Sequence, residues 1–162
     1  MAKVLIVDDD EEIRVLLDEV LQIEGFHVNV ARHGKEALEI LQREQGWVVL
    51  LDVNMPEMDG YEVVRRLKDH PAWLDDNRVV LMSAGRHLAA AHLLPLSEVV
   101  IAIVPKPFEL DTLLEVVQRL ASGKETSEGW DRARPAASQM TDASAGSNGH
   151  FSPSSAAQPA AA

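Results

Sequence analysis

Four residue groups in this chain are chemically suited to one phosphoryl-transfer site: Asp8-Asp9, Asp52, Ser83 and Lys106. Carboxylates can hold a divalent cation or attack phosphorus. A hydroxyl can donate to a phosphoryl oxygen, and an ammonium neutralises charge during transfer. Each group follows an aliphatic run: Val4 to Val7, Val48 to Leu51, Val79 to Met82 and Val99 to Val104. Such runs read as buried strands. A polar residue just past a buried strand sits at its carboxyl end, and in open parallel sheets ligands bind at those ends.

Taken singly, each group has a plainer explanation. Asp8-Asp9 precede Glu11 and Glu12 and would serve as helix N-caps with a favourable dipole interaction. Asp52 would simply terminate a strand, Ser83 would cap, and Lys106 would be solvated. Taken together, they point to chemistry. Asp8, Asp9 and Asp52 converge if the first and third strands are neighbours, and carboxylates that close raise one another's pKa values. A divalent cation removes the conflict. Oxygen ligands in a chain with no cysteine favour Mg²⁺. Asp52 precedes Val53-Asn54-Met55-Pro56-Glu57-Met58-Asp59-Gly60, whose Met-Pro and Asp-Gly pairs carry turn chemistry. Asp52 is therefore the expected nucleophile, forming an acyl phosphate. Lys106 lies in Lys106-Pro107-Phe108, where the peptide bond before proline can be cis.

The elements that must position these groups follow from periodicity. Strands are expected at residues 3–8, 27–31, 47–51, 78–82 and 99–104. Helical spacing joins Ile13, Leu16, Leu17, Val20 and Leu21, with a stop at Gly25. It also joins Ala37, Leu38 and Leu41, ending near Gly46. A third helix carries Tyr61, Val64 and Leu67 and closes at His70-Pro71. A short Ala-rich helix spans Leu88 to Leu94, and an amphipathic one carries Leu110, Leu113, Leu114, Val117 and Leu120. Strands apolar throughout indicate a parallel sheet covered on both faces. The expectation is an α/β doubly wound three-layer sandwich.

The bulk properties exclude several classes. A formal net charge of −11 opposes a nucleic-acid footprint and an anionic membrane surface. No apolar run approaches about 20 residues, so no membrane insertion is expected. Met1-Ala2-Lys3 leads into an apolar run too short for a signal peptide, and the expected location is cytoplasmic. From about Ser122 the chain becomes rich in Ser, Ala, Gly and Pro and loses periodicity. Residues 122–162 are expected to form a disordered tail. Trp130 and Phe151 are its aromatics, either isolated or parts of a docking motif.

Residues 1–121 resemble a response-regulator receiver domain, the CheY-like phosphoacceptor of two-component signalling. The resemblance rests on Asp8-Asp9, Asp52 through Gly60, Ser83 and Lys106-Pro107-Phe108, in the family's order and approximate spacing. It implies a five-stranded parallel sheet of order 2-1-3-4-5, the flavodoxin-like arrangement. It implies that Asp52 takes a phosphoryl group from a sensor histidine kinase or histidine phosphotransfer protein. Asp9, Asp52 and the main-chain carbonyl of Asn54 would hold Mg²⁺, with Asp8 acting mostly through a coordinated water. Ser83 and Lys106 would hold the phosphoryl oxygens and relay the change, and Lys106-Pro107 would be cis.

The chain departs from the family pattern in three places. Ile103 stands where the family usually carries a Tyr or Phe rotameric switch. Leu94 to Glu98 lacks the usual Gly-Ala turn, and Pro105 precedes the lysine. The expected function is a stand-alone response regulator that signals by phosphorylation-dependent contact with an unknown protein target, without direct DNA binding. It would catalyse only its own aspartyl phosphorylation and dephosphorylation. The alternatives are a non-switching interaction module of the same fold and a phosphate sink. A hydrolase acting on external substrates would need an Asp two residues after Asp52, where Asn54 stands.

Overall fold

The computed structural model describes residues 1–74, 76–84 and 98–123. Their elements are β1 (Lys3–Val7), α1 (Glu11–Ile23), β2 (His27–Ala31), α2 (Gly34–Arg43), β3 (Trp47–Asp52) and α3 (Gly60–Asp69), then a 3₁₀ turn (Pro71–Trp73), β4 (Arg78–Ser83), β5 (Val100–Pro105) and α4 (Leu110–Ala121). The helix expected at Leu88 to Leu94 and the tail beyond Gly123, with Trp130 and Phe151, lie outside the described residues.

All strand pairs are parallel, in the order β2-β1-β3-β4-β5. The doubly wound flavodoxin-like expectation is met. Parallel neighbours need crossovers, and these place helices on both faces. One core, against α2 and α3, contains Leu5, Val49, Leu51, Leu81, Val63 and Leu67. The other, against α1 and α4, contains Val4, Ile6, Leu50, Val80, Leu17 and Leu113. Adjacent residues of one strand thus serve opposite cores, which is why β1, β3 and β4 read as unbroken apolar runs. Each fully buried Leu or Val contributes about 1.5–3 kcal/mol of transfer free energy.

Two strands depart from that plan. β2 lies at an edge and exposes His27 and Val30. β5 carries a bulge: Val79 pairs with Val100, but Val80 pairs with Ala102. Ile101 is the extra residue, so it and Ala102 both pack toward the α1 and α4 side. Ile103 then returns to the other core, opposite Leu81.

Boundaries moved by a few residues. β1 ends at Val7, leaving Asp8 beyond the ladder, and α2 ends at Arg43 rather than near Gly46. Trp47 begins β3 there, its amide donating to Asn77 Oδ1 at 2.9 Å. Asn77 Nδ2 donates in turn to the Trp73 carbonyl at 2.6 Å. Asn77 is a buried polar residue at the amino end of the sheet, satisfied on both functions. Asn77→Ala is expected to cost about 2 kcal/mol, because it strands the buried Trp47 amide. Urea denaturation measures this, and a loss below about 0.5 kcal/mol would contradict the role given to the side chain.

Candidate functional site

Strand order 2-1-3-4-5 puts β1 and β3 side by side, so the turn after Val7 and the end of β3 meet. Asp8, Asp9 and Asp52 each bring a carboxylate oxygen into one group, all within 4.8 Å of one another. Asp8 and Asp52 are buried and Asp9 is exposed. Ser83 ends β4 and is also buried. The Lys106 amide donates to the Ser83 carbonyl at 2.7 Å, which ties the ends of β4 and β5 together. The Lys106–Pro107 bond is cis, as the resemblance implied. Asp8, Asp9, Asp52, Ser83 and Lys106 therefore share one end of the sheet.

N-capping does not explain Asp8 or Asp9. The cap of α1 is Asp10, whose Oδ1 accepts from the Glu12 amide at 2.9 Å. Asp8 is held at four points instead. Its amide donates to the Ala31 carbonyl at 3.3 Å. Its carbonyl accepts from Arg14 Nη1 at 2.8 Å. Its Oδ1 accepts from the Asp10 amide at 3.0 Å and its Oδ2 from Lys106 Nζ at 2.6 Å.

Lys106 is shared unequally. Its Nζ lies 3.1 Å from Asp52 Oδ1, a charge contact. The approach lacks hydrogen-bond geometry, and Asp52 Oδ1 is a buried oxygen without a hydrogen bond. The ammonium is thus seated on Asp8 and only leans on Asp52. Burial pushes the Asp52 pKa up. The Lys106 contact and charge and the Asn54 amide oppose this, the Asp8 charge adds to it, and the net shift is upward. Burial pulls Lys106 down, but its bond to Asp8 and the charges of Asp8 and Asp52 beside it outweigh that, leaving its pKa raised. Three carboxylates against one ammonium, with one oxygen unbonded, fit a divalent cation.

The loop after Asp52 is clamped by close packing. The Val53 amide donates to the Met82 carbonyl at 2.9 Å and the Gly60 amide to the Val53 carbonyl at 3.0 Å. Asp59 N-caps α3, its Oδ1 accepting from the Glu62 amide at 2.7 Å. A Cβ on Gly60 would stand 2.4 Å from the Asp52 carbonyl oxygen and 2.9 Å from Val53 Cα. Gly34 abuts the same loop: a Cβ there would meet Val63 Cγ2 at 2.6 Å and Met58 Sδ at 2.9 Å. Glu57 takes a φ of 65°, and the Met58 amide donates to the Pro56 carbonyl at 2.7 Å, a γ-turn that turns Met58 inward. Asn54 is exposed at the start of this loop, with its amide toward the Asp52 carboxylate. Ile103 is buried in the core on the α2 and α3 side rather than at the acidic cluster.

Residues 4–118 match the response regulator receiver domain family. The chain belongs to that family. Sporulation initiation phosphotransferase F of Bacillus subtilis (strain 168) is 38% identical over 120 residues, covering 72% of this chain and 91% of that protein. Response regulator MprA of Mycobacterium sp. (strain KMS) is 33% identical over 129 residues, covering 80% of this chain. This chain covers 54% of MprA, about half its length. Among solved structures, a CheY-like response regulator receiver domain protein from Methanospirillum hungatei JF-1 superposes with a TM-score of 0.69 at 30% identity, covering 76% of this chain and 96% of that one. Response regulator protein TrrA from Thermotoga maritima, in complex with Mg(2+)-BeF, gives 0.64 at 33% identity, covering 74% of this chain and 99% of that one. The receiver domain has its role in two-component signalling. No helix among its described residues is long and apolar enough to cross a membrane.

Sequence reasoning missed Asp10 and Arg14 as parts of this receiver site, and it gave Gly60 turn chemistry without its close packing on the Asp52 carbonyl. Three consecutive aspartates signal a cap without saying which of them supplies it. Gly60→Ala is expected to cost about 2–3 kcal/mol, because the new methyl meets backbone rather than a movable side chain. Gly34→Ala should cost less, since Met58 can shift and alanine favours the helix. Equal melting temperatures for the two variants would contradict this ranking.

Proposed function

We propose that the chain is an aspartyl phosphoacceptor, phosphorylated on Asp52 by a phosphohistidine of a sensor kinase or histidine phosphotransfer protein. The observation that carries this is the state of Asp52. It is a buried carboxylate with Oδ1 free of hydrogen bonds, flanked by Asp8, Asp9 and Lys106. In the transfer, an Asp52 oxygen attacks phosphorus and the P–N bond to the donor imidazole breaks. The electron pair returns to the imidazole nitrogen. Such a transfer needs mainly alignment and charge neutralisation.

Asp8, Asp9 and Asp52 would hold Mg²⁺, with the Asn54 carbonyl as a further oxygen. Bound there, the ion supplies neutralisation of charge on the phosphoryl oxygens. Lys106 is already seated between Asp8 and Asp52, so a short shift brings its ammonium to the phosphoryl group. Ser83 offers a hydroxyl donor from the neighbouring strand end. Asn54 stands where a general acid would be needed for turnover on external substrates. The chain therefore catalyses only its own phosphorylation and dephosphorylation, and its output is phosphorylation-dependent contact with a protein target.

A phosphate sink is the second reading, and Ile103 is the observation that favours it. Ile103 is 6% exposed, β-branched and ringless, so it has no aromatic to turn inward and its χ1 is stiff.

Acetyl phosphate with Mg²⁺ is expected to add one phosphoryl group, and Asp52→Ala to abolish it. A phosphate mapped to Ser83 by mass spectrometry would overturn the assignment. Mg²⁺ at about 100 times its Kd should stabilise the fold by about 2.7 kcal/mol. Asp9→Ala should lose that gain. Asp59→Ala should keep it while losing about 1 kcal/mol from the α3 cap. A melting temperature insensitive to saturating Mg²⁺ would count against the shared acidic site.

The output is read by amide and methyl shifts with and without beryllofluoride. For a signalling receiver, changes should extend from Ser83 through residues 84–92 while the Ile103 rotamer stays fixed. Changes confined to the immediate pocket would favour the phosphate sink.

A further inference from the structure

Arg14 lies in the second turn of α1 and is half-buried. Its sequence neighbours offer it carboxylates at helical spacing: Asp10 four residues before and Asp18 four after. Such pairs are the usual partners of a helical arginine. Three other arginines among the described residues do form such pairs. Arg32 pairs with Glu36, and Arg65 and Arg66 pair with Glu62. Arg14 does not. Asp10 caps α1, and Asp18 accepts from Gln22 Nε2 at 2.6 Å. Arg14 instead reaches back six residues, and its Nη1 donates to the Asp8 carbonyl at 2.8 Å.

That carbonyl belongs to the peptide plane joining Asp8 to Asp9. The plane is rigid, so fixing its oxygen fixes the direction in which the chain enters Asp9. The two aspartates differ in what else restrains them. The Asp8 carboxylate is buried and held by the Asp10 amide and by Lys106. The Asp9 carboxylate is exposed. Its position in the acidic cluster depends on the backbone beneath it, and Arg14 clamps that backbone through a charge-assisted bond.

We propose that Arg14 is a positioning residue for the divalent-cation site, acting through the Asp8–Asp9 peptide to aim the Asp9 carboxylate. This rests on the reading of Asp8, Asp9 and Asp52 as a Mg²⁺ site. Partners that orient a metal ligand typically change affinity by 10- to 100-fold, and a group acting through the peptide of the ligand belongs at the low end. Without the clamp, cation affinity falls while the chemistry at Asp52 stays intact once the ion is bound.

The test is calorimetric titration of the full chain with Mg²⁺ alone, for wild type, Arg14→Ala, Arg14→Lys and Asn77→Ala. Thermal melting is run beside each titration, and phosphorylation by acetyl phosphate is followed across Mg²⁺ concentration. Arg14→Ala is expected to raise the Mg²⁺ Kd about tenfold. Its phosphorylation rate should return to within about twofold of wild type at saturating Mg²⁺, because Asp52 and Lys106 are untouched. Arg14→Lys keeps a charged donor of similar reach and should recover most of the affinity. Asn77→Ala lowers stability at the opposite end of the sheet and should leave the Kd unchanged, which separates lost stability from lost aim. An Arg14→Ala Kd equal to wild type, or one matched by Asn77→Ala, overturns the role of Arg14 alone. A wild-type chain that takes up no Mg²⁺ overturns the site reading and this inference with it.

Discussion

Three carboxylates forced together at one end of a sheet, with one ammonium among them, are the constraint around which this molecule is arranged. Buried like charges oppose folding, and their ionised forms persist only where fixed partners surround them. Most of the local structure can be read as supplying such partners. Asp8 is held by two amide contacts, an arginine and a lysine. Asp10 takes over the capping of α1, which leaves Asp8 and Asp9 to the cluster. The cost that remains is carried by Asp52, whose proton affinity is raised by burial.

The parallel register gives this cluster its geometry. β1 and β3 run in phase from Lys3 opposite Trp47 to Val7 opposite Leu51, so Asp8 and Asp52 leave the ladder at one level. β4 and β5 finish the alignment, with Ser83 opposite Pro105 and the Lys106 amide on the Ser83 carbonyl. Side chains from four strand ends then meet without long loops to hold them. The loop after Asp52 has its own clamp, because α3 begins at a glycine pressed against the Asp52 carbonyl. Site and scaffold are the same object here: atoms that end strands also aim the reactive groups.

Much of this was legible in the residues. Aliphatic runs located β1, β3, β4 and β5 to within a residue or two, because a strand buried on both faces leaves no room for polar positions. The polar residues that break those runs are also the cluster. Three kinds of feature were not legible. Asp10 could not be told from Asp8 or Asp9 as the cap, since the three share one chemistry and differ only in backbone angle. Asn77 looked like an ordinary loop residue, and its burial depends on Trp47, thirty residues away. Gly60 and Arg14 owe their roles to what folding brings beside them, which no local pattern encodes. Ile103 was visible as an exception to the family pattern, but its place in the core required the bulge in β5.

That bulge has a bearing on how Lys106 is aimed. A strand alternates its faces, so one residue added or lost normally turns every later side chain around. In β5 the extra residue is Ile101, and the segment beyond it keeps a register of its own, from Val80 opposite Ala102 to Ser83 opposite Pro105. Lys106 belongs to that later segment. The bulge therefore works as a slip joint, separating the Val79–Val100 pairing from the register that sets where the lysine emerges. The side chains that aim at the acidic cluster from β5 thus depend on the register beyond Ala102 and not on the pairing ahead of it.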